Sequence, residues 1–375
     1  MTGRYENKKK SSRRKKITLI VIGITLMLLI VLVIAGAAYY TTMLNKINKV
    51  EVPKIVYTRP VTEATVGINE ATTETPEENT EMTVETTTAT TAPHIASSAD
   101  YLNVLVVGQA ARGGEEERFA DTMMLFTINT YEKSVTMTSF LRDSLVHPPE
   151  WNNRTFGWIK LTSVYHLSSY YENGPASSME LMNLTLYNNF GVEVDYNFEV
   201  DFDAFIRVID ELGGVDIELT PAEADYLNAD DFWVYKDVEP GMNTLDGMTA
   251  LSYARMRKAE GDSDSDIVRT TRQRKLVESV IDKLKVQGPG FVSYVSNQVL
   301  PLITTSMSNS EITDLMLTLL PMLPDLTIKT GGTCPAESWG DMVDIFGDGV
   351  YHSVLHFDQT ATTRTMRAIT EGELQ

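Results

Sequence analysis

The most constraining feature of the chain is the run Ile17–Tyr40, which contains 24 residues without a single charge and is rich in Ile, Leu and Val. As an α-helix rising ~1.5 Å per residue it would span roughly 36 Å, enough to cross a bilayer. We therefore predict a transmembrane helix. A cleaved signal peptide is the alternative, because Ala35–Ala38 are small residues, but the run is longer than the ~7 to 15 apolar residues usual for one.

Charge is distributed unevenly around this run. Residues 1–16 hold eight Lys or Arg and one acid, Glu6, whereas the whole chain has a formal charge of −19. The positive-inside rule then predicts a cytoplasmic tail at residues 1–16 and an extracellular location for everything after the helix, in a single-pass cell-membrane protein. The remainder carries −26, which argues against a nucleic-acid partner, because such proteins neutralise phosphates with Lys and Arg. The one cysteine, Cys334, excludes an intramolecular disulfide, and its role stays open.

Three further segments follow the helix. The juxtamembrane residues 41–57 mix apolar residues with lysines and are expected to continue the helix for a short distance. Residues 58–100 are rich in Thr, Glu and Ala, and such a composition cannot bury enough surface to offset backbone entropy. We expect this segment to be a disordered spacer that gives the protein reach. A globular domain is predicted at residues 101–375.

Strand and helix patterns alternate along this domain. Short apolar runs predict strands at 102–107, 123–128 and 135–140, the last two joined by a hairpin. Residues 203–212 have helical apolar spacing, stop at two glycines and give way to a strand. Further helices are predicted at 161–171, 177–189, 269–285 and 311–323. The pattern indicates an α/β domain in which helices cover a central sheet, and the order of its strands cannot be read from the sequence.

Arginines are concentrated in one part of this acidic domain. Arg255 and Arg257 are two residues apart, so in an extended segment both side chains point to one face. Arg269, Arg272 and Gln273 share one face of a helix start. Guanidinium groups match phosphate oxygens two at a time, so the cluster is a candidate phosphate or pyrophosphate clamp. The alternative is a surface that offsets neighbouring acids such as those at 262–266.

A second polar group lies at predicted strand ends. Arg112 follows the first strand, Asp121 precedes the second, and Arg142 closes the third. Ligands of open α/β sheets gather outside strand ends, so these residues are expected to share one rim. Serine-hydrolase, Walker and His-Glu-x-x-His motifs are absent from the sequence. His352 and His356 are read as partly buried structural histidines, not as metal ligands.

Several sequence motifs resemble the LytR-CpsA-Psr family of cell-envelope phosphotransferases. They occur in the family's order between about residues 101 and 285, behind the short tail and membrane helix typical of it. The motifs are Phe119–Leu125, Ser139–Asp143, Lys160–Tyr165, Val200–Phe205, Leu212–Asp216, Leu245–Arg257 and Arg269–Gln273.

This resemblance implies an α-β-α sandwich with a central mixed sheet, an apolar pocket for a polyprenyl chain and an arginine-lined mouth. It implies transfer of a glycopolymer, of teichoic acid or capsular polysaccharide type, from a polyprenyl-pyrophosphate carrier to peptidoglycan. Asp121 matches one of two metal-binding aspartates for Mg²⁺, and Asp266 is our candidate base, with Arg142 also catalytic. Pyrophosphate-binding residues carried over by position, with helpers, are Arg142, Arg255, Arg257, Arg269, Gln273, Arg272, Lys160 and Arg112.

The sequence departs from the family pattern at the metal site. Where the family reads Gly-x-Asp-x-Arg, Ala110 stands in place of the first aspartate. Glu115, Glu116 and Glu117 on the following loop are candidate replacements, with a solvated acidic loop as the alternative. Three hypotheses remain: an active transferase, a catalytically weak polyprenyl-pyrophosphate-binding scaffold, and a membrane-anchored envelope regulator.

Overall fold

The computed structural model describes residues 40–55, 57, 100–109, 119–171, 174–229, 237–257, 265–286, 300–319, 321–345 and 347–371. The predicted transmembrane run, apart from Tyr40, and the Thr/Glu-rich segment, apart from Asp100, lie outside these residues. Within the part described, none of the helices has both the length and the apolar character needed to cross a membrane.

The centre of the domain is a seven-stranded mixed sheet with the strand order β1-β10-β7-β2-β3-β4-β11. Strands β2, β3 and β4 form an antiparallel meander, while β7 and β11 pair parallel with β2 and β4 respectively. Three two-stranded sheets, β5-β6, β8-β9 and β12-β13, lie outside it. The strands are β1 Asn48–Lys49, β2 Tyr101–Gln109, β3 Ala120–Asn129, β4 Ser134–Phe140, β5 Leu145–Val146, β6 Ile159–Lys160, β7 Tyr196–Val200, β8 Val215–Leu219, β9 Gly241–Leu245, β10 Ile303–Thr305, β11 Thr327–Cys334, β12 Trp339–Val343 and β13 His352–His356.

Helices cover both faces of the central sheet, which confirms the α-β-α arrangement that the resemblance implies. The apolar residues Leu105, Val107, Met123 and Leu125 alternate along β2 and β3 and pack on one face against α1, α2 and α8. The opposite face meets α7 at one end of the strands and α3, α5 and α6 at the other. The helices are α1 Leu161–Tyr171, α2 Pro175–Phe190, α3 Phe202–Glu211, α4 Pro221–Ala229, α5 Gly247–Arg255, α6 Ser265–Val286, α7 Asn309–Leu319 and α8 Gln359–Thr370.

The segment after Tyr40 packs on this domain. It is helical only to Leu44, so the expected continuation of the helix ends early, and β1 then pairs parallel with β10. Leu44 and Ile47 are buried against helix α7 and the residues before it. Asparagine is a poor helix former, and the unpaired edge of β10 offers hydrogen-bonding groups to Asn48–Lys49 instead.

The chain leaves and re-enters the domain at one place. The Tyr57 hydroxyl lies 3.4 Å from the Val194 carbonyl oxygen, and the Asn103 backbone N–H donates to the Asp195 carboxylate at 2.7 Å. Residues on the two sides of segment 58–99 therefore contact two adjacent residues, Val194 and Asp195. The predicted spacer does not separate residues 40–57 from the domain, because those residues contact the domain before it begins.

Asp195 links this junction to folding stability. Burial raises the pKa of its carboxyl to about 7, although the hydrogen bond from Asn103 opposes the shift. A carboxyl whose pKa is higher in the folded state contributes stability that is complete below its unfolded pKa of about 4 and is lost as pH rises through 7.

We therefore expect Asp195→Asn, which keeps an oxygen acceptor for Asn103, to remove this pH-dependent loss. At pH 8 the variant should be more stable than the parent by up to about 4 kcal/mol, at 1.36 kcal/mol per pKa unit, with little difference near pH 4. Urea unfolding of the full chain in detergent, followed from pH 4 to 8, measures this. Parallel pH profiles for parent and variant would refute the assignment.

Candidate functional site

A cavity of about 430 Å³ lies between the sheet and the helices α3 to α6. Its floor is one face of β2 and β3, where Val106 and Met124 are directly paired. Because side chains alternate along a strand, this is the face opposite the main core. The apolar lining consists of Val106, Met124, Phe126, Phe202, Phe205, Tyr226, Leu251, Leu276 and Val277.

Polar groups collect at one end of this cavity. Gly108 pairs with Thr122 at the strand ends, and Asp121 is next to it in the chain. The carboxyl end of α5 supplies Arg255, and α6 supplies Arg269 near its start, two turns before the apolar Leu276. The cavity is therefore amphiphilic along its length, with an apolar interior and a cationic mouth.

Helix α5 delivers Arg255 and Arg257 to the mouth. Asp246 caps its start by accepting from the Thr249 N–H at 2.8 Å. A Cβ at Gly247 would overlap the Ile206 carbonyl, so only glycine permits this close packing on α3. The extended segment expected for the two arginines is wrong, since the helix runs to Arg255. Both side chains nevertheless line the cavity, because the backbone turns out of the helix at Met256.

The three arginines of helix α6 face different parts of the structure: the cavity, helix α4 and strand β4. Arg269 and Gln273 line the cavity, as predicted. Arg272 is not among the cavity-lining residues; its Nε donates to the buried Glu223 carboxylate of α4 at 2.8 Å. Arg274, which the sequence did not single out, donates to the Ser139 hydroxyl of β4 at 2.9 Å. The expected pyrophosphate role of Arg272 is thus replaced by a structural ion pair that fixes the helix.

Arg142 lies at the centre of an ionic network behind the mouth. Its guanidinium is 2.8 Å from Asp121, 3.6 Å from Asp143 and 3.7 Å from Asp266. Asp266 also accepts from Arg269 at 2.8 Å, and it is not a cavity-lining residue. Burial raises the pKa of Asp266 and lowers that of Arg269, while each charge opposes the other's shift. The network positions Arg269 and Asp121 side by side.

The remaining predicted site residues do not line the cavity or lie outside the described residues. Lys160 donates to Asp143 at 2.9 Å on the outer side of the network and does not line the cavity. Arg112, Ala110 and residues 115–117 lie outside the described part of the chain, so their predicted roles remain predictions.

One polar cavity residue was missed in the sequence. Gln109 is almost completely buried at the end of β2, and its Nε2 has no hydrogen-bond partner among the described residues. It lines the cavity beside Asp121 and leaves a donor for a ligand oxygen. Its position directly after a buried strand was the available signal.

The carboxylates at the mouth set limits on a metal ion. Asp121 and Asp201 both line the cavity, but Asp201 caps α3 through the Ala204 N–H. In the portion of the chain that is described, no three His, Cys, Asp or Glu side chains are grouped to hold a metal. Mg²⁺ needs only one or two carboxylates when phosphates complete its shell. Asp121 fits that requirement, with one of its oxygens already engaged by Arg142.

The fold and site define an α/β protein with an amphiphilic cavity, apolar inside and cationic at its mouth. The chain belongs to the LytR_cpsA_psr family, whose model matches residues 61–332. The described residues of that range include all those that line the cavity and all those of the ionic network.

Relatives and solved structures agree with this family. The polyisoprenyl-teichoic acid–peptidoglycan teichoic acid transferase TagU of Bacillus licheniformis is 33% identical over 184 residues, 49% of this chain and 52% of TagU. The corresponding transferase TagT of Bacillus subtilis is 33% identical over 190 residues, 50% of this chain and 53% of TagT. The chain spans about half the length of these relatives. A structure of TagT bound to LIIa-WTA has 26% identity and a TM-score of 0.54, covering 72% of this chain and 90% of that one.

The structural role of Arg272 on α6 and the cavity-lining role of Arg257 after α5 predict different mutational effects. Arg272→Met leaves the buried Glu223 carboxylate without its cation, which should lower the free energy of unfolding by about 3–5 kcal/mol. Arg257→Ala removes an exposed side chain and should change it by about 0.5 kcal/mol or less. Denaturant unfolding of the full chain in detergent compares them, and equal stabilities would contradict the structural assignment of Arg272.

Proposed function

We propose that this protein transfers a glycopolymer, of teichoic acid or capsular type, from a polyprenyl-pyrophosphate carrier to peptidoglycan. The observation that carries the proposal is the continuous cavity, apolar inside and cationic at its mouth. A polyprenyl chain matches the apolar part by its chemistry, and a pyrophosphate matches the arginines. The names of TagU and TagT describe the same donor and acceptor classes and support the proposal.

The proposed reaction is one phosphoryl transfer. A peptidoglycan hydroxyl oxygen bonds to the phosphorus that bears the glycopolymer, and the bond from that phosphorus to the bridging oxygen breaks. Polyprenyl monophosphate leaves with the bond's electron pair, and the hydroxyl proton passes to a base. Arg255, Arg257 and Arg269 stabilise the charge that develops on the phosphate oxygens.

Two residues of the ionic network have distinct proposed roles. Arg142 reaches the phosphates by exchanging its contact with Asp121 for one with the substrate. Asp266 is the proposed base, and burial raises the pKa of its carboxyl toward the range that suits proton transfer. Its present contacts with Arg269 and Arg142 also hold both guanidinium groups in place.

Mg²⁺ is the proposed cofactor, with Asp121 as its protein ligand. The ion would neutralise charge on the pyrophosphate oxygens. Because Ala110 supplies no carboxylate, Asp121 must act with the substrate's own oxygens, unless Glu115, Glu116 or Glu117 contributes.

The proposal includes a location at the cell membrane, which two features of the sequence support. The uncharged run Ile17–Tyr40 would anchor it, and the basic residues before that run would keep the N-terminus in the cytoplasm. The cavity would then lie on the extracellular side, where carrier lipid and peptidoglycan are both accessible. A second candidate function, binding of the carrier lipid with little transfer, is favoured only by Ala110.

Replacing Arg255 with alanine should weaken binding of a polyprenyl pyrophosphate by about 1.5–3 kcal/mol, the range for a hydrogen bond to a charged group. Replacing Arg257 as well should weaken it further. Calorimetric titration of the full chain in detergent measures the affinity. Arg207→Ala, an exposed arginine of α3 outside the cavity, is the matched control and should bind as the parent does. Unchanged affinity of the double variant would eliminate the clamp.

The metal proposal separates transferase from binding protein. Pyrophosphate-bond cleavage by the parent should require Mg²⁺, and Ala110→Asp should lower the Mg²⁺ concentration needed and raise turnover. Asp121→Ala should lose the metal-dependent activity. Cleavage is measured against Mg²⁺ concentration for all three proteins. A parent that is inactive at every concentration, beside an active Ala110→Asp variant, would favour the binding protein.

A further inference from the structure

The hairpin β12-β13 lies beyond the residues matched by the family and carries an unusual surface. Four large apolar side chains on the hairpin and its connecting loop, Trp339, Met342, Val350 and Tyr351, are each more than half exposed. Trp339 and Met342 are three residues apart in β12 and lie on opposite faces, so Trp339 is the exposed aromatic of the face it shares with His356. The hairpin has no part in the cavity or the ionic network.

Trp339 and His356 stack on one face of this hairpin, and Trp339 is the more exposed of the two. They are direct partners in the strand register, so both side chains lie on the same face. Their rings are stacked with centroids 5.8 Å apart and an angle of 12° between planes. Asp341, two residues along the same face, places a carboxylate oxygen 3.7 Å from the His356 Nε2. The exposed Trp339 ring beside the exposed Asp341 carboxylate suits a sugar ring, whose C–H groups stack and whose hydroxyls donate.

The hairpin is hydrogen-bonded to the backbone of one member of the ionic network, Asp143. The Leu355 N–H donates to the Asp143 carbonyl at 2.8 Å, and Leu355 forms a β-bridge with Ser144. The Asp143 side chain in turn contacts Lys160 and Arg142. His356, which stacks on Trp339, is therefore the residue next to Leu355, whose backbone is hydrogen-bonded to Asp143 of the network.

A second exposed aromatic lies on the neighbouring strand pair. Trp158 is more than half exposed and makes an edge contact with His147, with ring centroids 5.4 Å apart. The two residues flank the pair β5-β6, which carries Lys160 and lies against β13. Aromatic groups thus occur on both elements that border the Lys160–Asp143 contact.

Charge narrows the choice of partner. Residues 335–356 contain four acids and no Lys or Arg; the acids are Glu337, Asp341, Asp344 and Asp348. Such a surface repels anionic phospholipid head groups and phosphate-rich polymers alike. It has no such penalty for an uncharged chain of N-acetylated sugars.

We infer that the hairpin is the binding subsite for the acceptor glycan, with Trp339 stacking on a sugar of the peptidoglycan backbone. This inference rests on the proposed function and adds to it the place where the acceptor strand lies. A glycan held on Trp339 extends toward Lys160 and Arg142, where the acceptor hydroxyl meets the carrier's phosphate. The subsite lies in residues 339–356, outside the range 61–332 that the family model matches.

The test is binding of a soluble glycan of alternating N-acetylglucosamine and N-acetylmuramic acid, with each muramic carboxyl amidated so that the chain is uncharged, to the full chain in detergent, measured by calorimetry. Trp339→Ala should bind it about tenfold more weakly, the scale of an aromatic contact, while Trp339→Phe keeps most of the affinity. Tyr131→Ala removes an exposed aromatic at the other end of the sheet and should bind as the parent does. In the transfer assay Trp339→Ala should raise the KM for acceptor and leave kcat nearly unchanged.

Separate measurements distinguish the subsite from the proposed function. Affinity for polyprenyl pyrophosphate should be equal in the parent and Trp339→Ala. If neither protein binds polyprenyl pyrophosphate, the transferase proposal fails, whereas the measured glycan affinities still decide the subsite. Equal glycan affinity in the parent and Trp339→Ala would overturn the subsite. So would a variant that keeps glycan binding but loses binding to phosphatidylglycerol vesicles, which would make the hairpin a membrane contact.

Discussion

The ion pairs of Arg142 are the interaction on which the site depends. Arg142 follows β4 and draws together three carboxylates from different elements: Asp121 of β3, the adjacent Asp143 and Asp266 of α6. Without this cation the three acids would repel one another, and the start of α6 would have no charged link to the sheet ends. Because its charge is offset by several partners, Arg142 is available to a phosphate that replaces one of them. Structure and proposed chemistry therefore use the same guanidinium.

Helix α6 holds the mouth of the cavity in place because some of its polar residues anchor the helix and others face the cavity. Arg272 and Arg274 are buried and tie the helix to α4 and to β4, whereas Arg269 and Gln273 are left to face the cavity. Ion pairs removed from solvent tolerate little displacement, since either partner alone is costly to bury. The helix thus holds its cavity-facing residues on a rigid base. The apolar Leu276 and Val277, further along the same helix, continue the cavity inward.

The sequence predicted the strands β2, β3 and β4, the β3-β4 hairpin and the α3-glycine-β8 unit closely, because local apolar periodicity and turn residues determine those elements. It also identified the cavity arginines, whose spacing reflects a shared face. It misassigned Arg272, since its partner Glu223 is 49 residues distant and only tertiary packing brings them together. The helical end at Arg255 was missed because a short segment with mixed residues has no clear period. Strand β1 was missed for a related reason: two residues join a sheet only when a distant edge is available.

The attachment of residues 40–57 changes the meaning of the Thr/Glu-rich segment. Tyr57 and Asn103 contact adjacent residues, Val194 and Asp195, so the chain departs and returns at one point. The two ends of segment 58–99 are therefore held close together on the domain. The entropy of loop closure grows only with the logarithm of length, so evolution can lengthen or shorten this insertion at little cost in stability. The distance of the domain from Tyr40 is set instead by the contacts of β1 and Leu44, whatever the insertion's length.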